Sequence, residues 1–233
     1  MTQIAGVDGC PDGWMCIIED TKIRALDSRI FRTFADLVRN LDAAVIAIDI
    51  PIGLTERRAR ECDIVARRLL GPKRGTSVFP APIRAALGCA SYPEAKGVSQ
   101  QVQQKGISKQ AWMIYPKIRE VDDALCADSA LRKRVVEVHP EVSFSAWAGA
   151  PIIAGKRTKA GAAERRRLID RHFGLAAFDT IRGRYLKGQV ADDDIADAFA
   201  ALWTAERIAT GEARAIPETP PTDGAGLPMR MVY

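Results

Sequence analysis

Apolar positions at the start of the chain come in short runs separated by turn residues. IAGVDG and WMCIIE flank CPDG, in which Pro11 sets the first corner and Gly13 accepts a positive φ at the last, so the pair reads as two strands joined by a tight reversal. KIRALDSRIF is a third strand. TFADLVRNL has helical spacing with Thr33 as its N-cap, and AVIAIDIPIGL is a buried strand stopped by Pro51 and Gly53. The order β-β-β-α-β predicts a mixed sheet, because short connections favour antiparallel pairs and a strand reached through a helix returns parallel by a right-handed crossover.

From about 55 to 134 the spacing is mainly helical. It is broken by GPKRGTSVFPAPIRAALG, where Pro72, Pro80 and Pro82 forbid regular structure, and the segment reads as a helical insertion capping the sheet. RVVEVHPEVSF is a strand ended by Pro140. AGKRTKAGA is a basic loop leading into the helix AAERRRLIDRHFG, with Gly174 as its C-cap. A last helix, DDDIADAFAALWTAERIATG, starts in acids that suit its positive dipole end and stops near Gly211, and MRMVY is a final strand. The pattern places residues 1–233 in a single domain.

Composition narrows the class. With 47% apolar residues the chain supports a substantial core, and it has no apolar run long enough to cross a membrane and no basic leader, so a cytoplasmic protein free of membrane is expected. Five cysteines without a C-x-x-C pair argue against a disulfide framework and a structural zinc. The formal charge of +5 is concentrated: Arg57, Arg58, Arg60, Arg67, Arg68, Lys73 and Arg74 form one cluster, and Lys156, Arg157, Lys159, Arg165, Arg166, Arg167 and Arg171 another. Such clusters suit a polyanion such as nucleic acid, and equally a solvated helix face.

Acids recur at the ends of apolar elements. Asp8 closes the first strand and Asp49 the fourth; if those strands are neighbours, the two carboxylates repel unless a cation or proton lies between them. Glu137 ends a third strand, with His139 and Glu141 just beyond. Asp194 and Asp197 stand three apart and share a helix face, Asp197 among Ile195, Ala196, Ala198 and Phe199, where a core helix should carry no charge. Oxygen ligands from several elements suit Mg²⁺ or Mn²⁺, and a pair of such ions roughly 3.5–4 Å apart activates water against a phosphodiester. The competing reading is structural: Asp192 to Asp194 as a helix cap, Glu137 and Glu141 as partners of nearby arginines.

GVDGCPDGW, IDIPIGL, SVFPAP, PKIREVD, EVHPE and DDIADAFAAL together resemble the motifs of the family catalogued as domain of unknown function 429, described as predicted RNase H-like nucleases. The resemblance covers essentially the whole chain. It implies an α/β fold of RNase H-like type, a mixed five-stranded sheet of order 3-2-1-4-5 with strand 2 antiparallel to the rest, and an acidic site at the ends of strands 1 and 4. The pattern is also similar to Holliday-junction resolvases, whose acids lie on the first and fourth strands and, three apart, on the last helix; Asp8, Asp49, Asp194 and Asp197 match in kind and spacing. EVHPE has no counterpart there, so Glu137, His139 and Glu141 are carried only by the narrower family.

The expected site is therefore Asp8, Asp49, Glu137, Asp194 and Asp197 as metal ligands, with His139 as a further ligand or proton donor. For the substrate, Trp112 is the candidate to stack a base and Lys117 to meet a phosphate, the competing and slightly favoured reading of that stretch being a core helix with Trp112 buried. Lys156, Lys159 and Arg165 in GKRTKAGAAERRR are expected to grip the backbone beside the scissile phosphate. The activity expected is metal-dependent phosphodiester hydrolysis in DNA or RNA. A nucleotide-binding or phosphoryl-transfer enzyme of the same superfold and an inactive interaction protein are the alternatives, and assembly into a homo-oligomer is left open.

Overall fold

The computed structural model describes residues 2–233. Its core is a sheet of strands β1 (Gln3–Cys10), β2 (Gly13–Asp20), β3 (Ala25–Phe31), β4 (Ala43–Ile48) and β5 (Val135–Glu137), in the order β3-β2-β1-β4-β5. β2 runs antiparallel to β1 and β3, while β4 lies parallel to β1 and β5 parallel to β4, which is the mixed arrangement expected. The crossover helix α1 (Phe34–Asn40) starts at Thr33, whose hydroxyl accepts the Asp36 N–H at 3.1 Å.

Period-two alternation divides the sheet's side chains between two cores. Ala5, Val7, Trp14, Cys16, Ile46 and Ile48 face one side, and Ile4, Met15, Ile17 and Ala47 the other. On the second side lie α7 (Pro140–Ala148), α8 (Lys159–Phe173), α9 (Ala177–Arg182) and α10 (Asp192–Thr210). Of these α10 packs most closely on β1, and Gly6 permits it: a Cβ there would fall 2.1 Å from the Leu202 nitrogen and 2.2 Å from the Ala198 carbonyl oxygen.

The intervening residues form α2 (Glu61–Arg74), α3 (Arg84–Leu87), α4 (Tyr92–Gln103), α5 (Lys109–Met113) and α6 (Tyr115–Ala127). This segment is more than a cap. α1 is only seven residues long and cannot cover the first face alone. Ile83, Leu87, Tyr115, Ile118, Val121 and Leu125 complete that core. The PKIREVD acids serve the same packing: Glu120 accepts from Trp14 Nε1 at 3.1 Å and the Phe34 N–H at 2.8 Å, and Asp122 takes Arg84 in a two-pronged ion pair. After α10, stopped by Gly211 in the left-handed region, β6 (Ala215–Ile216) and β7 (Met231–Val232) pair as a small hairpin beside Val138. No described helix is long and apolar enough to cross a membrane, and all five cysteines are free thiols.

Candidate metal centre

Strand alternation sets the first two acids. Asp8 follows Ile4 and Gly6 on the α10 side of β1, and Asp49, one residue past β4, follows Ala47 on that same side. Their strands are parallel neighbours, with Val7 opposite Ile48 and the Asp49 N–H donating to the Val7 carbonyl at 2.9 Å. The close approach allowed by Gly6 then brings Asp197, on the inward face of α10, to the same place.

Asp8, Asp49 and Asp197 line one cleft of about 660 Å³ with His139, Glu141, Lys117 and Lys156. Asp8 Oδ1 accepts the Gly9 N–H at 2.8 Å. Asp197 Oδ2 accepts from the Lys156 ammonium, while its Oδ1 is buried without a partner among the described residues. Burial, then Asp49 and Asp197, hold the Asp8 carboxyl well above its usual range against the pull of Lys156. Burial likewise pushes Asp49 up to about 7, Lys156 opposing and Glu141 adding, and Asp197 up to about 6, again against Lys156. Three carboxylates thus share one ammonium, and the cluster carries excess negative charge whenever all three ionise. An orphaned carboxylate oxygen and an all-oxygen donor set from three elements suit the chemistry of a hard divalent cation, while among the described residues the three donors that lie within 4.8 Å of one another are Cys62, Asp63 and Glu137.

Lys156 is positioned by the loop before α8. Thr158 caps that helix by accepting the Gly161 N–H at 3.1 Å, and Gly161 lets the loop fold onto the first turn, since a Cβ there would lie 2.2 Å from the Gly155 carbonyl oxygen. The ammonium points inward, with Asp193 Oδ2 at 3.5 Å as a second neighbour. Sequence reasoning misses Asp193, although its spacing of four from Asp197 places both on one helix face. Burial raises the Asp194 carboxyl, but its Oδ2 accepts the Ala191 N–H at 3.0 Å, which puts it at the rim as part of the helix cap.

Three expected roles are corrected. Glu137 is not free to ligate: Arg60 grips both its oxygens at 2.7 Å and the Ile52 N–H donates to it at 2.6 Å. Cys62, Asp63 and Glu137 do lie within 4.8 Å of one another, but Arg60 already neutralises the two acids, reaching Asp63 at 2.6 Å, and a cation there would have to displace a buried guanidinium. Arg165 cannot meet a substrate backbone, being 1% exposed and bonded to both Glu141 oxygens at 2.7 Å. Trp112 packs against Tyr92 and Tyr115 and the first core, so it does not stack a base.

The remaining candidates divide. Lys159 is exposed on the first turn of α8. Lys117 lies at the cleft wall, its Nζ 4.5 Å above the Trp14 ring and donating to the Gly13 carbonyl. His139 also lines the cleft; its Nε2 is 3.4 Å from the Ser77 carbonyl, its Nδ1 has no partner, and burial pushes its pKa down. Arg74, 2.9 Å from Glu141, joins Arg165 in holding that acid. EVHPE therefore ties α2 and α8 to its own strand and helix: Glu137 of β5 holds the start of α2, and Glu141 of α7 holds the end of α2 and the body of α8.

No curated protein and no solved structure matches this chain. A family model does, over residues 6–222, a span that includes Asp8, Asp49, Lys156 and Asp197, and the chain belongs to that family, described as protein of unknown function DUF429.

Proposed function

We propose that the protein is a divalent-metal-dependent nuclease, hydrolysing phosphodiesters in nucleic acid at the cleft between Asp8, Asp49 and Asp197. The observation that carries this reading is the convergence of three carboxylates, from two adjacent strand ends and the helix packed across them, on one cleft where Lys156 bonds to Asp197. When bound, Mg²⁺ or Mn²⁺ supplies Lewis-acid charge at a phosphoryl oxygen and acidifies a water.

The chain's own groups do the rest. Asp8, Asp49 and Asp197 hold the cation. Lys156 and Lys117 set positive charge beside the incoming phosphate, with Arg157 at the cleft mouth. His139, kept neutral by burial with Nε2–H toward the Ser77 carbonyl, offers Nδ1 as a hydrogen-bond acceptor within the cleft. In the reaction the water oxygen bonds to phosphorus, one phosphorus–oxygen ester bond breaks, and the departing oxygen takes up a proton.

The test is incubation of the pure protein with Mg²⁺ or Mn²⁺ and single strands, duplexes, RNA–DNA hybrids and branched junctions. Cleavage should disappear with chelator and in Asp197→Ala, and persist in Asp192→Ala, whose side chain is exposed at the start of α10. Absence of cleavage of every substrate, or cleavage that survives Asp197→Ala, contradicts the reading.

A further inference from the structure

The cleft also has an apolar lining. Besides the carboxylates, the cleft is lined by Ile50, Val78, Phe79, Ile114 and Met113, and the fold leaves Phe79 50% and Met113 74% exposed. Neither residue is needed by the core. We propose that Phe79 and Met113 take up an unpaired nucleobase next to the phosphate held at the carboxylates, making single-stranded nucleic acid the substrate; this rests on the nuclease reading and specifies it.

Both side chains are presented on supported backbone. Arg67 donates to the Val78 carbonyl through Nε at 3.1 Å and Nη2 at 2.8 Å, His139 Nε2 lies 3.4 Å from the Ser77 carbonyl, and buried Val78 anchors the segment. Pro80 and Pro82 stiffen the backbone on the other side of Phe79. The SVFPAP motif thus turns valine inward and holds phenylalanine outward. On α5, Ala111 is buried and Trp112 packs on the core, so Gln110 and Met113, three apart on one face, line the cleft.

This set of groups defines a ligand chemistry. A polarizable thioether and an aromatic face suit a flat π-system, and the Gln110 amide offers both a donor and an acceptor to its edge. The same cleft offers a cation site and ammonium groups to an anion. A flat heteroaromatic tied to a phosphate is a nucleotide. A base inside a duplex has both faces stacked and its edge paired, so only an unpaired or extruded base enters such a wall.

The test places 2-aminopurine, whose fluorescence reports stacking, in a single-stranded oligonucleotide. Binding is followed with Ca²⁺ in place of Mn²⁺ to slow turnover, and cleavage with Mn²⁺, both in the wild-type background and each with and without Phe79→Ala and Met113→Ala. Both substitutions fall at exposed positions, and circular dichroism checks the fold. The fluorescence change on binding should be lost in Phe79→Ala, with Kd and KM rising about tenfold, while KM for a strand carrying an abasic site at that position stays unchanged; duplex should be cleaved at least about tenfold more slowly. Cleavage that ignores both substitutions, or treats duplex and single strand alike, overturns the base site and leaves the nuclease reading standing. Phe79-dependent stacking without any cleavage leaves the base site standing and removes the nuclease reading. No binding and no cleavage overturns both.

Discussion

Asparagine at Asp49 separates a carboxylate built to meet a cation from one that serves the fold. Burial and Glu141 push the Asp49 carboxyl up to about 7 from an ordinary 3.8, against the pull of Lys156. A carboxyl raised in the folded state favours folding while it is protonated. Its contribution is complete below ~pH 4 and is lost as pH rises through about 7. At ~1.4 kcal/mol per pH unit the whole shift corresponds to ~4 kcal/mol, and because Asp49 keeps some solvent contact, about 1–2 kcal/mol is the expected penalty at pH 8. Asp49→Asn removes that penalty. In the presence of chelator the variant and wild type should therefore unfold together at pH 4, with the variant more stable by about 1–2 kcal/mol at pH 8, a Tm gain of about 3–6 °C for a chain of this size. Urea and thermal unfolding at a series of pH values measures it. A gap that does not widen with pH, or a variant less stable than wild type at pH 8, refutes the reasoning.

Lys156→Met removes the ammonium in contact with Asp197, so Mn²⁺ affinity should rise about tenfold or more while chelator-treated protein loses stability at pH 8; calorimetry showing unchanged or weaker Mn²⁺ binding contradicts this. Glu137→Gln leaves the buried Arg60 short of a charge and should cost about 3–5 kcal/mol in urea unfolding, yet leave the Mn²⁺ dissociation constant within about twofold; loss of Mn²⁺ binding in folded variant would return Glu137 to the metal set. Gly6→Ala drives a methyl into the α10 backbone and should lower the yield of folded protein or its stability by several kcal/mol, roughly as for other overpacked cores; a variant with wild-type Tm would show that α10 does not need this approach.

The strands were legible because each rests on a local signal, alternation and a turn at CPDG, whereas their order 3-2-1-4-5 came from the family resemblance; Asp8 and Asp49 drew attention as carboxylates at the ends of apolar runs. Asp197 was legible because a charge amid Ile195, Ala196, Ala198 and Phe199 contradicts its surroundings. What stayed hidden are pairings over long sequence separations. Nothing near Glu137 indicates that Arg60 will grip it, nor near Arg165 that Glu141 will, so two internal ion pairs looked like a metal ligand and a substrate contact. The contact between Lys156 and Asp197 was hidden for the same reason, since only the fold turns that ammonium onto the carboxylate. In the stretch around Trp112 the sequence shows one helical turn but not which face meets the core, and the structure buries the tryptophan's side of α5 while Met113 faces the cleft.

The central claim, that Asp8, Asp49 and Asp197 together form a divalent-cation site, is tested most directly by calorimetric titration of Mn²⁺ at pH 6.5 in two buffers of different ionisation enthalpy. Binding should be saturable and should release protons, because the Asp49 carboxyl, at about 7, is largely protonated there and must ionise to ligate. It should be lost in Asp8→Asn and in Asp197→Asn. Titrations that show no saturable heat, or a signal that survives both substitutions without proton release, would contradict the account.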